Sequence, residues 1–374
     1  MSENSDDLLK CNFQKCADCK NKCPVYEQFG FISYSARGKM NVLQALNEKF
    51  INMSPSVVEL FYNCALCGYC EARCANKISL NEFFLKMRNR IVNSNQIQHS
   101  RYKECLDFLK SSGNPYGKNM TVKNKFLNKP YYKKDSHNLL FTGCNSVFIS
   151  QEVGENTANI LGLAGAGFNH LGEREKCCGY ILYILGYWED FIKLAEENVD
   201  LFKDNRVKRI ITPCPGCYRV FSKIYPQFVK WPNIKVLHIS EYIWDMVKRG
   251  NLVFRREMPY KIAFHDPCDL GRGMGVFEPP RQIMRKIPGI RLIELDNNRN
   301  YSICCGGGGG LLLTNKNLVF SIASNRLKEA FEKNIDILIS SCPLCSAVLK
   351  QASTISSIDL EVKDLTSIVC EAVV

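Results

Sequence analysis

Apolar positions recur with helical spacing through the first hundred residues. Within Gly38–Phe50 the positions Met40, Val42, Leu43, Leu46 and Phe50 keep close to a 3.6-residue period. Pro55 suits the first position of a helix over Pro55–Phe61, and Leu80–Ile91 is again amphipathic. From His137 the pattern changes. Leu139–Thr142, Arg209–Thr212, Ile262–Phe264 and Ile335–Ser340 are short apolar runs that read as buried strands, each followed by helix-like sequence. That alternation predicts an α/β region with mainly parallel strands. Between the two regions, Ser111–Lys134 is rich in Asn, Lys, Gly, Pro and Tyr and reads as a linker.

The α/β region repeats itself. Ile210–Cys217 (IITPCPGC) lines up with Leu338–Cys345 (LISSCPLC), Lys176–Gly179 with Ile303–Gly306, and Cys144 with Cys268. The expected division is a helical domain over residues 1–110, a linker over 111–136, and two copies of one α/β domain over 137–250 and 251–374.

Composition changes this picture at one residue type. With 374 residues, 46% apolar and 23% charged, the chain is otherwise ordinary for a globular protein, but it carries 20 cysteines. It opens Met1-Ser-Glu-Asn-Ser-Asp-Asp, without a basic and then apolar leader and without a twin arginine. The expectation is a cytoplasmic protein whose thiols stay reduced and bind metal. Tyr180–Trp188, the most apolar stretch, falls well short of the ~18–20 residues a membrane span needs. A membrane is then reached only peripherally, through a partner. The net charge of +12 comes from scattered lysines and arginines, apart from pairs such as Lys133-Lys134 and Arg255-Arg256, which argues against a nucleic-acid surface.

Eighteen of the cysteines fall into four groups. Cys64-x2-Cys67-x2-Cys70-x3-Cys74 has the spacing of a bacterial ferredoxin cluster run. Three cysteines on one tight loop wrap one cubane, and the fourth reaches its neighbour. Cys11-x4-Cys16-x2-Cys19-x3-Cys23-Pro24 matches at its end but has Phe13 where the first cysteine would stand, so Cys11 takes that role through a wider loop. With crossing fourth cysteines, one [4Fe–4S] cluster uses Cys11, Cys16, Cys19 and Cys74, and the other Cys64, Cys67, Cys70 and Cys23. Two structural zinc sites are the alternative, although zinc rarely calls for three closely spaced cysteines and then a fourth.

The other two groups are five-cysteine sets with one order. The first is Cys144, Cys177, Cys178, Cys214 and Cys217; the second is Cys268, Cys304, Cys305, Cys342 and Cys345. Each piece is expected to end a strand or open the turn after it, so that the pieces converge at one sheet edge. Five thiolates exceed a tetrahedral zinc site, and adjacent cysteines suit neighbouring irons better than one ion. The glycine after each pair lets the backbone pass close to a cluster. A redox dithiol would account for Cys214-x2-Cys217 or Cys342-x2-Cys345 alone but not for the repeat. Zinc stays open for the first set.

The doubled pattern resembles the cysteine-rich CCG domains of heterodisulfide reductases. His265-Asp-Pro-Cys268-Asp-Leu-Gly-Arg272, Glu278-Pro-Pro-Arg281 and Cys304-Cys305-Gly306–Gly310 are similar to that family's second repeat, and Tyr34-Ser-Ala-Arg37-Gly38-Lys39 is also family-like. The order, a two-cluster ferredoxin domain ahead of two CCG domains, looks like the D subunit of those enzymes. The same layout occurs in iron–sulfur subunits of glycolate, D-lactate and anaerobic glycerol-3-phosphate dehydrogenases. The resemblance implies a noncubane [4Fe–4S] cluster on each five-cysteine set and a disulfide cleaved between them. It implies a flavoprotein, a membrane cytochrome or a quinone-linked subunit as partner, and a small-molecule or protein disulfide as substrate. The alternative it leaves is an electron-transfer subunit without chemistry of its own. His265 and Arg272 are further candidates: His265 as a proton donor or a strand-end hydrogen bond, Arg272 as a substrate or cluster counter-charge or a structural ion pair. Gly306–Gly310 has no following Gly-Lys-Ser/Thr and is no phosphate loop, and Gly162-x2-Gly165-x-Gly167 reads as a helix end and turn. Cys105 and Cys370 stand alone and read as buried packing residues.

Overall fold

The computed structural model describes residues 5–13, 16, 18–97, 99–123 and 132–373. The start of the chain read for a leader (residues 1–4) and residues 124–131 of the expected linker lie outside the described residues. Helix starts in the first region follow local chemistry. Ser35 accepts from the Gly38 N–H at 3.1 Å to begin helix Ala36–Asn47, and Ser54 accepts from the Val57 N–H to begin Pro55–Tyr62. Pro55 occupies a first-turn position, where its missing N–H leaves nothing unpaired. Met40, Leu43, Leu46, Phe61, Phe84, Met87 and Ile91 form the buried core, the last three from helix Leu80–Asn93. The expected stripe ends early at Phe50, which is 78% exposed. The helix stops at Asn47, Lys49 turns to φ +61°, and the Phe50 N–H folds back to the Ala45 carbonyl.

Strands β1 (Asn138–Leu140), β2 (Arg209–Thr212) and β3 (Lys235–His238) form one parallel sheet in that order. Strands β4 (Lys261–His265), β5 (Arg291–Leu292), β6 (Ile337–Ser340) and β7 (Glu361–Asp364) form a second, ordered β5-β4-β6-β7 and parallel throughout. In the first sheet a single bridge from Leu139 to Asn169 takes the place of β5. The sequence repeat is therefore a repeat of topology. Every residue of β6 is buried, as expected for a parallel strand covered on both faces.

The two units pack across an approximate twofold. Helix Gln151–Leu163 of the first lies on Leu365–Val373 of the second, and Ile239–Lys248 of the first on Glu278–Lys286 of the second. In each pair, the helix that follows the first cysteine meets the helix that follows the last strand. Leu140 and Ile211 share one core with Ile262, Phe264, Ile337 and Ile339. This shared core holds the two cysteine sets in fixed relation.

Candidate metal centres

The ferredoxin-type cysteines gather in two groups. One small cavity is lined by Cys11, Cys16, Cys19 and Cys74, and another by Cys23, Cys64, Cys67 and Cys70. Loop 64–70 coils tightly because Leu66 and Gly68 both adopt positive φ (+50° and +73°). The coil aims the Leu66 N–H at the Cys64 sulfur (3.5 Å), and the Ile78 N–H meets Cys74 in the same way. The segment Tyr34–Lys39 serves both groups. Arg37 donates to the Cys16 carbonyl at 2.7 Å. Lys39 is buried beside Cys23 and Cys64, with Nζ donating to the Tyr34 carbonyl at 2.6 Å. Burial pulls the Lys39 pKa down, opposed by the Cys64 and Cys23 thiols. Gly38 between them has no room for a side chain: a Cβ would stand 2.1 Å from the Ile32 carbonyl oxygen.

The five-cysteine sets are built alike. Cys144 opens a short helix after β1, and Cys214 begins helix Pro215–Arg219 directly after β2. Cys268 follows β4, and Cys342 begins helix Pro343–Ser356 after β6. The adjacent pairs do not end strands. Cys177-Cys178 and Cys304-Cys305 lie in loops that swing in beside the strand ends. In both loops the following glycine turns to positive φ (Gly179 +79°, Gly306 +85°), and its N–H points at the first sulfur of the pair, at 3.4 Å on Cys177 and 3.3 Å on Cys304. Sulfurs approach within 3.9 Å for Cys144–Cys177, 3.4 Å for Cys178–Cys217 and 3.2 Å for Cys305–Cys345.

This donor set fits a multi-iron group. All twenty cysteines are free thiols. Hydrogen bonds from neighbouring thiols, then burial, push Cys178, Cys217, Cys304 and Cys345 well above the ordinary thiol range, while Cys177 and Cys305 are lowered by those same bonds. So many buried thiols ionise together only around compensating positive charge.

The centres are close to one another. The Cys67 thiol is close enough to Cys304 for the two to interact, and that interaction, together with Arg272, draws Cys67 down to about 6. Arg272 donates Nε to the Cys67 carbonyl at 2.7 Å and Nη1 to the Ser302 carbonyl at 2.6 Å, tying the second α/β unit to the ferredoxin-type loop. The glycine run presses on the same loop: a Cβ on Gly309 would lie 2.0 Å from the Cys64 carbonyl oxygen. Arg88, fully buried, donates to the carbonyls of Phe61, Cys64, Ile184 and Gly309 and so joins all three domains. Asp266 forms a bidentate ion pair with Arg281 at 2.7 and 2.8 Å.

Between the two five-cysteine sets lies a mainly apolar cavity of about 160 Å³, reached by all five cysteines of the first set and by Cys268 and Cys342 of the second. A polar clamp crosses its edge. Tyr180 donates to Asp269 at 2.8 Å, and Arg219 donates to the same carboxylate oxygen at 2.7 Å. Each of the three rides on a cysteine loop, Tyr180 after Cys178, Arg219 after Cys217 and Asp269 after Cys268. For Tyr180 and Arg219 adjacency to cysteines was the only signal in the sequence, and Asp269 lay within the family-like stretch His265–Arg272. Lys39 and Arg37 showed only as part of a resemblance, and Arg88 not at all.

The 4Fe-4S dicluster domain model matches residues 7–78, and the model of the cysteine-rich CCG domain matches twice, over 139–222 and 262–350. The chain is a two-cluster ferredoxin domain fused to CCG cysteine-rich domains. It is closely related to the D subunit of heterodisulfide reductase and is an iron–sulfur oxidoreductase subunit of that family. The D subunit of the dihydromethanophenazine:CoB–CoM heterodisulfide reductase of Methanosarcina acetivorans is 29% identical over 384 residues, covering 96% of this chain and 92% of that one. A probable iron–sulfur-binding oxidoreductase of Bacillus subtilis is 28% identical over 345 residues, 86% of this chain and 49% of its own length. A hypothetical protein from Helicobacter pylori shares the fold, with a TM-score of 0.60 at 12% identity over 99% of this chain and 75% of that one. Among the described residues no helix is long and apolar enough to cross a membrane.

Proposed function

We propose that this protein passes electrons through its two ferredoxin-type centres to its two CCG centres, and that a disulfide is reduced or formed between the latter. The cavity lined by cysteines of both five-residue sets carries this reading. Cys11, Cys16, Cys19 and Cys74 hold one cubane, and Cys23, Cys64, Cys67 and Cys70 the other. Cys144, Cys177, Cys178, Cys214 and Cys217 hold one noncubane cluster, and Cys268, Cys304, Cys305, Cys342 and Cys345 a second. When bound, such clusters supply single electrons and irons able to take a thiolate sulfur. Reduction breaks one S–S bond, consumes two electrons and two protons and releases two thiols; formation is the reverse. The exposed Cys16 supports electron exchange with a flavoprotein or a cytochrome- or quinone-linked partner at the outer cubane. The coupling of Cys67 to Cys304, on loops tied together by Arg272, supports onward transfer from the inner cubane to the second CCG centre. Arg272, beside both, offsets cluster charge.

The test is iron and sulfide analysis of anaerobically purified chain, followed by EPR of the oxidised protein with the CoB–CoM heterodisulfide, with 2-hydroxyethyl disulfide and with the matching thiols. Iron beyond the about eight atoms of two cubanes, and a signal changed by one of these compounds, are expected. Iron that stops near eight would sink the reading. The EtfAB:quinone oxidoreductase of Syntrophomonas wolfei, 26% identical over 78% of this chain, favours a second reading, in which the chain only carries electrons between a flavin dehydrogenase and a quinone-linked partner. Full iron, EPR signals indifferent to disulfides and thiols, and a co-purifying flavoprotein would favour it.

A further inference from the structure

The two CCG sites differ behind their cysteines. His265 ends β4 and is 1% exposed. A ring nitrogen, the Cys305 sulfur and the Cys345 sulfur all lie within 4.8 Å of one another. Neither ring nitrogen has a hydrogen-bond partner of any kind among the described residues, so both stand unsatisfied with the two sulfurs in front of them. Asp266 next to it is engaged by Arg281, and the Ser340 hydroxyl is bonded to the His265 carbonyl, not to its ring. His265 does not line the cavity between the sites. In the first unit the equivalent position, one residue past β1, holds Phe141, three residues before Cys144 as His265 is three before Cys268. Leu140 pairs with Ile211 as Phe264 pairs with Ile339, so the registers agree. Phe141 packs edge-on against Phe202 and Phe221 and offers no donor.

We infer that His265 donates a ring N–H hydrogen bond to the Cys305 or Cys345 thiolate of the second CCG centre, and that this makes the two CCG centres electronically unequal. The inference rests on the reading that this set holds a cluster. A buried imidazole with no other partner must satisfy its N–H somewhere, and the two sulfurs are what it faces. A donor to a ligand sulfur withdraws charge from the cluster and favours its reduced form. His265 is thus a positioning residue that raises the potential of the centre beside the inner cubane, whereas the first centre is backed by a phenyl ring.

The test uses the full chain, prepared anaerobically, with His265→Phe copying the first unit and His265→Gln keeping an N–H donor. Both variants are expected to keep wild-type iron and sulfide. In an EPR-monitored redox titration, His265→Phe should move one CCG midpoint to lower potential and leave the other in place, and His265→Gln should move it less. Full iron with an unmoved midpoint in His265→Phe overturns the inference. Loss of one cluster's iron in both variants also overturns it, because the ring would then be a ligand or a packing element. A measurement on the unaltered chain guards against misfolded variants. With 15N-histidine, the reduced second centre should show a weak nitrogen hyperfine coupling of hydrogen-bonded size. Full iron with no coupling, or a coupling of directly bonded size, rejects the inference alone. Wild-type iron that stops at two cubanes rejects the cluster reading and the inference with it.

Discussion

His238 and Asp364 end the last strands of the two sheets, and burial acts on them in opposite directions. It pulls His238 down to about 3 and pushes Asp364 up to about 6. Asp364 accepts from the Thr366 N–H (2.9 Å) and hydroxyl (2.7 Å) and from Ser346 (3.4 Å), which offsets only part of the cost of burying its charge. The sign follows from proton uptake. Between the ordinary carboxyl value and about 6 the folded chain binds more protons than the unfolded one, so stability falls as pH rises through that window. Above it the deficit stays constant, at an upper bound of ~3 kcal/mol. Asp364→Asn keeps an acceptor for Thr366 and removes the charge. It should raise the thermal midpoint at pH 7.5, and the gain should shrink by roughly half on going to pH 5. Thermal unfolding of both proteins across that range checks it; a gain independent of pH would count against the assignment. Nothing in Lys235–His238 or Glu361–Asp364 announces these burials, since a polar residue at a strand end is ordinarily solvated. His265 was visible as a candidate because it stands three residues before Cys268. Its partners were not, because Cys305 and Cys345 reach it only through the fold.

At the scale of elements, the legible features were those whose geometry is local. Cysteine spacing sets a loop, so the two ferredoxin-type groups and the Cys214 and Cys342 turns could be read directly. The adjacent cysteine pairs were expected at strand ends and instead ride on loops, because a positive-φ glycine and the helix after it, not a strand, bring them in. Beyond Gly306 the run to Gly310 had no purpose legible in the sequence, because the Cys64 and Ala65 carbonyls that press on Gly308 and Gly309 come from a distant loop. Arg88 sits among the polar residues of an amphipathic helix, and no periodicity distinguishes it from its solvated neighbours. Gly309 tests the packing claim. Both Gly309 and Gly275 have positive φ (+64° and +77°), but a Cβ on Gly275 would meet nothing within 4 Å. Gly275→Ala should therefore cost only about 1–2 kcal/mol for the left-handed backbone. Gly309→Ala adds collision with the Cys64 carbonyl and should cost clearly more, with a lowered thermal midpoint and a perturbed inner-cubane EPR signal. Equal losses in the two variants would show that the loops are not held in contact there.

At the scale of the molecule, the proposed electron path follows the stacking of the domains. The outer ferredoxin-type group includes the exposed Cys16, the inner group is coupled to the second CCG set through Cys67 and Cys304, and the approximate twofold brings the first CCG set to the opposite side of the shared cavity. On the proposed path a protein donor delivers electrons at the outer group, whereas a small reductant can feed any of the centres. Cys70→Ser separates the two routes. Cys70 lines the inner group with Cys23, Cys64 and Cys67 and belongs to neither CCG set. Its loss should damage the inner cubane while leaving both CCG centres filled. Reduction of the CCG centres by dithionite should then proceed nearly as in the wild type. Reduction by a photoreduced flavoprotein should slow by about tenfold or more. Freeze-quench EPR of both reactions, with iron analysis to establish which cluster was lost, decides the matter. If the flavoprotein-driven rate is unchanged, electrons do not pass through the inner group, and the closeness of Cys67 to Cys304 is packing and not a step in the path.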